Sequence, residues 1–413
     1  MTNENIIEFL SNKDYDVRKT HNARWIDQKC TPDVVCIVAD CITNFINNDV
    51  NKTFTSRDIW FSTYAKENIQ AIFKKVEVVD TSVQNEYDKF FQQPMKLMAY
   101  SGILSEQKRG RENIYKVENL ELLNYIANRE RNALTFLVFY IKQVLKDSGI
   151  WDVFKNFLDN TSKENFNELK TSFSTFTIQN TSIGNKTSYN GKNEEAGVVE
   201  CNRIFSKVIN PLAFSYNKQG TLKGHLSPNK ITYDVLMYNR DNFRDIYSEK
   251  PKEMSRKDYL AINKITINTA YYQYQSSKAK AQLRKYNDIF RSGLSEILDT
   301  DDRATHMHHI FLASEYPEIS GYLENLIALT PTQHLNYAHP NGHTAEINKD
   351  YQYKCLMAKI DSIKENFKIQ DNIIYNFNDF LFVLQTGLSD NTYLEIENND
   401  FDGIQAKLIL SYA

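Results

Sequence analysis

Residues 305–311 read THMHHIF and residues 324–334 read ENLIALTPTQH, and these two stretches decide how the C-terminal part of the chain folds. The first stretch alternates from His306 to Phe311, which predicts a short strand. Residues 312–325 carry turn-forming side chains and predict a loop. Leu326 to Leu329 is a short apolar run, so a second strand is expected there.

A helix start follows the second predicted strand. Thr330 is a suitable N-cap, Pro331 occupies the first helical position and Gln333 lies three residues after the cap. The predicted order is therefore strand, loop, strand and helix, and His334 lies in the first turn of the helix. The chain has eight histidines, and six of them lie between residues 305 and 345. Histidine titrates near neutral pH and ligates metals, so this concentration points to chemistry.

This arrangement resembles the HNH, or ββα-metal, nuclease motif over residues 305–345. The matching residues are His308-His309-Ile310, then Asn325-Leu326, then His334. The resemblance implies that His308 and His334 hold a metal, that His309 is the general base, and that Asn325 ties the loop together. Many members also carry Cys-x-x-Cys pairs around a structural zinc. Residues 329–333 contain no Cys, so no structural zinc is expected here.

The resemblance also implies one divalent metal ion as cofactor. Mg²⁺ is expected because it is abundant and suits phosphate chemistry, and imidazole ligands are equally compatible with Mn, Ni, Co or Zn. His309, with the unshifted pKa of an imidazole, suits removal of a proton from water. His308 faces the opposite side of the strand from His309, so a bend in the hairpin is needed to bring both to one site.

The other histidines of this stretch are predicted to lie outside the metal set. His306 shares a strand face with His308 and is either structural or a phosphate contact. His339 follows His334 by five residues, which departs from the i+4 spacing of helical ligand pairs, and is expected at the end of the helix. His343 is expected in a turn, with DNA contact as the alternative.

The N-terminal part predicts several helices followed by a hairpin, an order that resembles a winged helix-turn-helix. The wing would carry Lys108, Arg109 and Arg111 at its tip. The preceding helix would enter the major groove, with Lys96 among the side chains that reach DNA. Winged helices also dock proteins, and a basic hairpin tip is common on solvated surfaces, so both interpretations stay open.

The expected fold class is α+β in a multidomain chain. Residues 1–160 are predicted to form the mostly helical, winged-helix-like domain, and residues 161–200, rich in Ser, Thr, Asn and Gly, an irregular linker. Residues 201–413 are predicted to form the ββα-metal (HNH) nuclease domain. Within it, residues 255–298 predict a basic helix that either follows a phosphate backbone or is simply solvated.

Composition limits the classes of function. The net charge is −3, with 49 basic and 52 acidic residues among 413, so any contact with nucleic acid must use local basic patches. Five cysteines without paired spacing fit a reducing compartment. No leader-like segment is recognised, and the longest apolar run, residues 133–141, is too short to span a bilayer. A soluble cytoplasmic protein without membrane contact is expected, and no Walker-type loop suggests ATP dependence.

Taken with the resemblance, these features predict a sequence-specific DNA endonuclease similar to bacterial type II restriction enzymes. Double-stranded DNA is the expected partner, cleavage outside the recognised site is compatible with the separate recognition domain, and the products would carry 5′-phosphate and 3′-hydroxyl ends. A double-strand break would need a homodimer or successive nicks, and a cognate DNA methyltransferase would accompany such an enzyme. The alternatives are a modification-dependent or homing HNH endonuclease, and a winged-helix regulator whose nuclease domain is inactive.

Overall fold

A computed structural model describes residues 1–73, 84–110, 112–185, 196–238, 246, 250–251, 254, 256–339, 343, 346–369 and 373–413. Over these ranges the chain is mostly helical and forms three two-stranded antiparallel sheets, which is the expected α+β class. It divides into two compact units, Met1–Arg240 and Asp241–Ala413.

The first unit is predominantly helical. Its helices are α1 Asn3–Ser11, α2 Val17–Thr20, α3 Pro32–Ile46, α4 Ser56–Trp60, α5 Thr63–Phe73, α6 Gln84–Ser101, α7 Leu120–Asn128, α8 Glu130–Asp147, α9 Trp151–Asp159, α10 Lys163–Asn180, α11 Ala196–Ser215 and α12 Tyr233–Leu236. In no part of the chain that the structure describes is a helix both long and apolar enough to cross a bilayer.

Helix α3 is the centre of this unit. It starts with Pro32, whose missing N–H costs nothing at the first helical position, and it ends at Asn47 in the left-handed conformation. Val34, Val35 and Ile37 are all buried, although they point in different directions around the helix. A helix that is apolar on every side must be surrounded. Accordingly, α3 packs against α6, α7 and α8.

The predicted hairpin after α6 is present. Strands β1 (Leu104–Arg109) and β2 (Glu112–Val117) pair in antiparallel register, and Gly110 supplies the positive φ of the turn. Phe54, which lies between α3 and α4, pairs with Tyr115 of β2. The unit's second hairpin joins β3 (Gln219–Leu222) to β4 (His225–Lys230).

The expected irregular linker over residues 161–200 is wrong where α10 forms. Ser162 caps this helix by accepting a hydrogen bond from the N–H of Asn165, and Phe166, Leu169 and Phe173 are buried along one face. Packing therefore outweighs the weak helix propensity of its Ser and Thr residues. Helix α11 packs on α8 and α10, so the division falls after Arg240 rather than at residue 200.

The second unit surrounds a short hairpin with helices. Its helices are α13 Arg256–Ile262, α14 Thr269–Phe290, α15 Lys349–Phe367, α16 Phe377–Leu388 and α17 Phe401–Tyr412, and single 3₁₀ turns cover Pro317–Ile319, Leu323–Asn325 and Asn391–Glu395. Strand β5 (His306–His309) pairs with β6 (Leu326–Leu329), and a π-helical turn covers Gln333–Ala338. All four residues of β6 are buried, and α14 packs against both strands.

A buried ion pair ties the hairpin to α15. The carboxylate of Glu296 accepts the backbone N–H of Ala328 in β6 at 2.8 Å through one oxygen. Its other oxygen accepts from Nζ of Lys359 at 2.6 Å, and Lys359 also donates to the hydroxyl of Tyr375 at 3.0 Å. Burial lowers the pKa of Lys359, and Glu296 opposes that shift.

Candidate metal centre

The β5–β6 hairpin sorts the histidines of the first stretch onto two faces. Its register pairs His308 with Ile327 and His309 with Leu326. Because side chains alternate along a strand, His306 and His308 share one face and His309 lies on the other. The ring contacts agree, because His306 and His308 both lie against His334.

The predicted helix start after β6 is confirmed. The backbone N–H of Gln333 donates to Oγ1 of Thr330 at 3.2 Å, and the N–H of Thr330 donates to Oε1 of Gln333 at 3.0 Å. This reciprocal pair is a capping box. Gln333 is itself held by the hydroxyl of Ser295, which donates to its Oε1 at 2.6 Å. The turn that carries His334 is therefore fixed by a fully bonded, buried network.

The turn then departs from α-helical geometry. Residues Gln333–Ala338 form a π-helical turn, which is wider than an α-helical one. A wider turn brings residues five apart onto one face, so His339 returns beside His334, with ring centroids 4.8 Å apart. The expectation that His339 lies outside the metal set is wrong, because it assumed an α-helical spacing.

Three histidines converge as a result. One ring nitrogen each of His308, His334 and His339 lie within 4.8 Å of one another. The rings of His308 and His334 are 5.1 Å apart and nearly perpendicular, and those of His308 and His339 are 5.0 Å apart. One metal ion can reach all three nitrogens after small side-chain rotations.

The hydrogen bonds of these rings fit a metal site. Nδ1–H of His339 donates to the backbone carbonyl of Glu346 at 2.7 Å, which leaves Nε2 unprotonated. Metal-binding histidines are commonly oriented by such a bond from the other ring nitrogen. Nδ1 of His334 is buried and has no hydrogen-bond partner among the described residues. A buried polar atom without a partner is costly, and a metal or a bound group would satisfy it.

Burial and neighbouring charges favour the neutral form of His308 and His334. Burial, and then the neighbouring His334 and His339, hold the pKa of His308 well below its usual value. Burial, and then His306 and His339, lower the pKa of His334 to about 4. Neutral imidazole is the form that binds metals, so the lowered pKa values of His308 and His334 favour metal binding by these two rings at neutral pH.

Asn325 closes the loop between the two strands. Its side chain is fully buried; Oδ1 accepts the N–H of Phe311 at 2.8 Å, and Nδ2 donates to the carbonyls of Phe311 at 3.0 Å and of Ile319 at 3.3 Å. These bonds span residues 311–325 and agree with the predicted tying of the loop. They fix where β5 ends and therefore where His308 and His309 stand.

His309 lies outside the three-histidine group. Its Nε2 is 3.0 Å from the carbonyl oxygen of Ser320 and 3.1 Å from Oγ of Ser276. A carbonyl can only accept, so Nε2 carries the proton and Nδ1 is left with the lone pair. Burial, and then Lys280, lower the pKa of His309 to about 4, against the Ser320 carbonyl, which raises it. The expectation of an unshifted pKa is therefore wrong.

The remaining predicted residues are placed as follows. His306 stacks on His334, with ring centroids 4.6 Å apart and planes 19° from parallel, and His343 is exposed. Lys108 and Arg109 are exposed at the hairpin tip, whereas Arg111 falls outside the described residues. Lys96 lies on α6 and is half-buried.

Sequence reasoning placed His339 outside the metal set, and it included Lys280 only as part of a basic helix over residues 255–298 that either follows a phosphate backbone or is solvated. The signal for His339 was its place in the histidine-rich stretch, and that for Lys280 was the run of basic residues in a predicted helix. Comparison of the chain with protein-family models, with curated proteins and with solved structures finds no match.

Proposed function

We propose that this chain is a metal-dependent DNA endonuclease that resembles HNH nucleases. The observation that carries the proposal is the convergence of three histidine nitrogens within 4.8 Å, on a hairpin and a helical turn whose loop is tied by Asn325. His309 follows His308 directly in β5 and, because side chains alternate along the strand, lies on the opposite face of the hairpin from this group. A ligand set and a separate base on adjacent residues suit hydrolysis better than a purely structural metal.

His308, His334 and His339 would hold the ion. When bound, it would supply a positive charge that polarises the phosphodiester and stabilises the departing 3′-oxygen. Three imidazole nitrogens suit Zn, Mn, Co or Ni better than Mg, because Mg²⁺ prefers oxygen ligands. The proposal therefore keeps one divalent cation and moves the preferred metal away from Mg.

His309 would act as the general base. The oxygen of a water molecule attacks phosphorus, the bond from phosphorus to the 3′-oxygen breaks, and a proton of the water passes to Nδ1 of His309. The carbonyl of Ser320 holds the ring in the required tautomer and stabilises the imidazolium that forms. The departing 3′-oxygen takes a proton from solvent water, and His309 later returns its proton to solvent, so the products carry a 5′-phosphate and a 3′-hydroxyl.

The first unit would recognise DNA as a winged-helix-like module. The order of α3, the bridge at Phe54, α4 to α6 and the β1–β2 hairpin supports this, as does the exposed basic tip with Lys108 and Arg109. Recognition apart from cleavage is typical of a type II restriction enzyme that cuts outside its site. Two protomers for a double-strand break and a partner methyltransferase belong to the same proposal.

The test is cleavage of supercoiled and linear DNA by the purified full chain, freed of metal and then supplied with Mn, Zn, Co, Ni or Mg in turn. We expect nicking or cutting with transition metals, and sequencing of the ends should give the site and the offset. His309→Ala should lower the rate at least about 100-fold, because a positioned base contributes that much. His225→Ala, an exposed histidine of the first unit, is the matched control.

The results also separate the alternatives. Cutting confined to methylated DNA would favour a modification-dependent nuclease. Tight DNA binding with no cleavage under any metal would favour a regulator with an inactive nuclease domain. Full activity of His309→Ala would contradict the proposed mechanism.

A further inference from the structure

Helix α14 presents a stripe of polar residues at i, i+4 and i+8: Ser276, Lys280 and Arg284. Residues four apart in an α-helix lie on the same face, one above the other. Both ends of the stripe contact β5 or its first flanking residue. Oγ of Ser276 is 3.1 Å from Nε2 of His309, and Nη2 of Arg284 donates to the carbonyl of Thr305 at 3.4 Å.

Lys280 therefore lies between these contacts, alongside the strand that carries His308 and His309. The electrostatic environment of the histidines agrees with that position. The positive charge of Lys280 contributes to the lowered pKa of His308, His309 and His334 alike. One cation thus acts on the candidate base and on two candidate metal ligands.

The charge of Lys280 lacks an acidic partner. Within the described ranges no carboxylate forms an ion pair with it, and its own pKa is lowered first by burial and then by the nearby Arg284. Lys280 is half-buried and lies near a second cation, Arg284, with only neutral histidines beside it. Keeping Lys280 charged there costs free energy, and a bound anion would offset that cost. The guanidinium of Arg284 is exposed, and one weak backbone contact leaves most of its N–H groups available to a phosphate.

We infer that Lys280 and Arg284 bind adjacent phosphates of the substrate strand, with Lys280 at the phosphate that is cleaved. Ser276 sets the register of the stripe through its contact with His309. The inference rests on the proposed nuclease function and adds the side of the site from which the strand approaches. It also makes Lys280 a substrate-binding residue that offsets the charge developing on the phosphate.

The test compares Lys280→Gln, Arg284→Gln and Lys280→Arg in the full chain. Lys285→Gln is the matched control, since Lys285 is an exposed cation about 100° further around the same helix than Arg284. Cleavage is measured under single-turnover conditions with the most active metal. Binding of duplex DNA is measured separately, over a range of salt concentrations, with a chelator present to prevent cleavage.

We expect Lys280→Gln to lower the cleavage rate roughly 100-fold. Each neutral variant should reduce the slope of log affinity against log salt by about 0.9, the value for one lost phosphate contact. Lys280→Arg should restore most of the rate and the slope, and Lys285→Gln should change neither. Metal affinity of Lys280→Gln should be equal or higher, because a repelling charge is gone; a merely structural role predicts weaker metal binding instead.

The two proposals fail differently. Wild-type cleavage together with unchanged rate and salt slope in Lys280→Gln would overturn the phosphate contact and leave the nuclease intact. Absence of wild-type cleavage together with a reduced slope in Lys280→Gln would reject the nuclease and retain an anion-binding stripe. Absence of both cleavage and any change in slope would reject both.

Discussion

Two antiparallel hairpins of this chain share a strand arrangement and differ in burial. In β1–β2, the residues from Ser105 to Arg109 are all exposed, and the turn is made at Gly110. In β5–β6, the second strand is wholly buried and the long connection is tied by Asn325. The first hairpin leaves its charged tip exposed to solvent. In the second, the polar side chains of Asn325, Glu296 and Gln333 hold the backbone by buried hydrogen bonds, as a preorganised site requires.

The largest expected effect is on the stability of the second unit, through the buried Glu296–Lys359 ion pair that ties the β5–β6 hairpin to α15. Lys359→Met should lower the free energy of unfolding of the second unit by about 3–5 kcal/mol, because Glu296 is left charged and buried without its partner. The equivalent change in the exposed hairpin, Lys108→Met, should stay within about 0.5 kcal/mol. Urea unfolding followed by far-UV circular dichroism measures both.

Tryptophan fluorescence provides the internal reference for that experiment. The three tryptophans, Trp25, Trp60 and Trp151, all lie in the first unit. The fluorescence transition should therefore stay unchanged in Lys359→Met while part of the dichroism signal unfolds earlier. Equal shifts of both signals would show that the two units unfold as one and would remove the contrast.

Metal affinity gives the next contrast, between two histidines that both contact His334. His339→Ala should weaken Zn or Co binding about 100-fold, comparable to other losses that disturb a metal-bound histidine. His306→Ala should change it little, because His306 only stacks on the ring of His334. Isothermal titration with each ion is the measurement. Equal losses in both variants would mean that the ring stack, and not the three-histidine group, determines affinity.

In the metal-free protein, acidic pH should lower the stability of the second unit, which contains the buried histidines, relative to that of the first unit. The pKa values of His309 and His334 are lowered to about 4 in the folded chain, whereas a histidine in the unfolded chain has a pKa near 6.5. Between about pH 4 and pH 6.5 the unfolded chain therefore binds more protons than the folded chain. Their contribution to stability is therefore complete above about pH 6.5 and is lost as the pH falls towards 4. At pH 5.5 the loss should be on the order of 1 kcal/mol per buried histidine.

The measurement is urea unfolding at pH 7.5 and 5.5 with a chelator present. The dichroism transition of the second unit should move to lower urea at pH 5.5, and His309→Gln should reduce that movement. A second-unit transition that is independent of pH would contradict neutral, buried histidines.

The smallest effect concerns the exposed hairpin. Lys108→Gln with Arg109→Gln should weaken DNA binding and reduce its salt slope by about 1.8, the equivalent of two phosphate contacts. Metal affinity and unfolding should stay unchanged, because both side chains are exposed and distant in sequence from the histidines. Unaltered DNA binding would instead favour a protein-docking role for this hairpin.

Local signals predicted the parts of the fold that local chemistry determines. The capping box at Thr330 and Gln333 and the loop-tying Asn325 depend on near neighbours in sequence, and both formed as expected. Helix α10 was not predicted, because its buried Phe166 and Phe173 compensate for a sequence of weak helix formers. The lowered pKa of His309 depends on burial and on Lys280, which only the tertiary structure brings close.

The π-helical turn at Gln333–Ala338 makes the metal centre sensitive to chain length in one direction only. Removing one residue between His334 and His339 would let the turn relax to an ordinary α-helix, and a four-residue spacing would still place both rings on one side. Adding one residue would carry His339 past the cluster and leave two ligands. The turn thus already holds the one extra residue that it can accommodate, so deletions there should be tolerated where insertions are not.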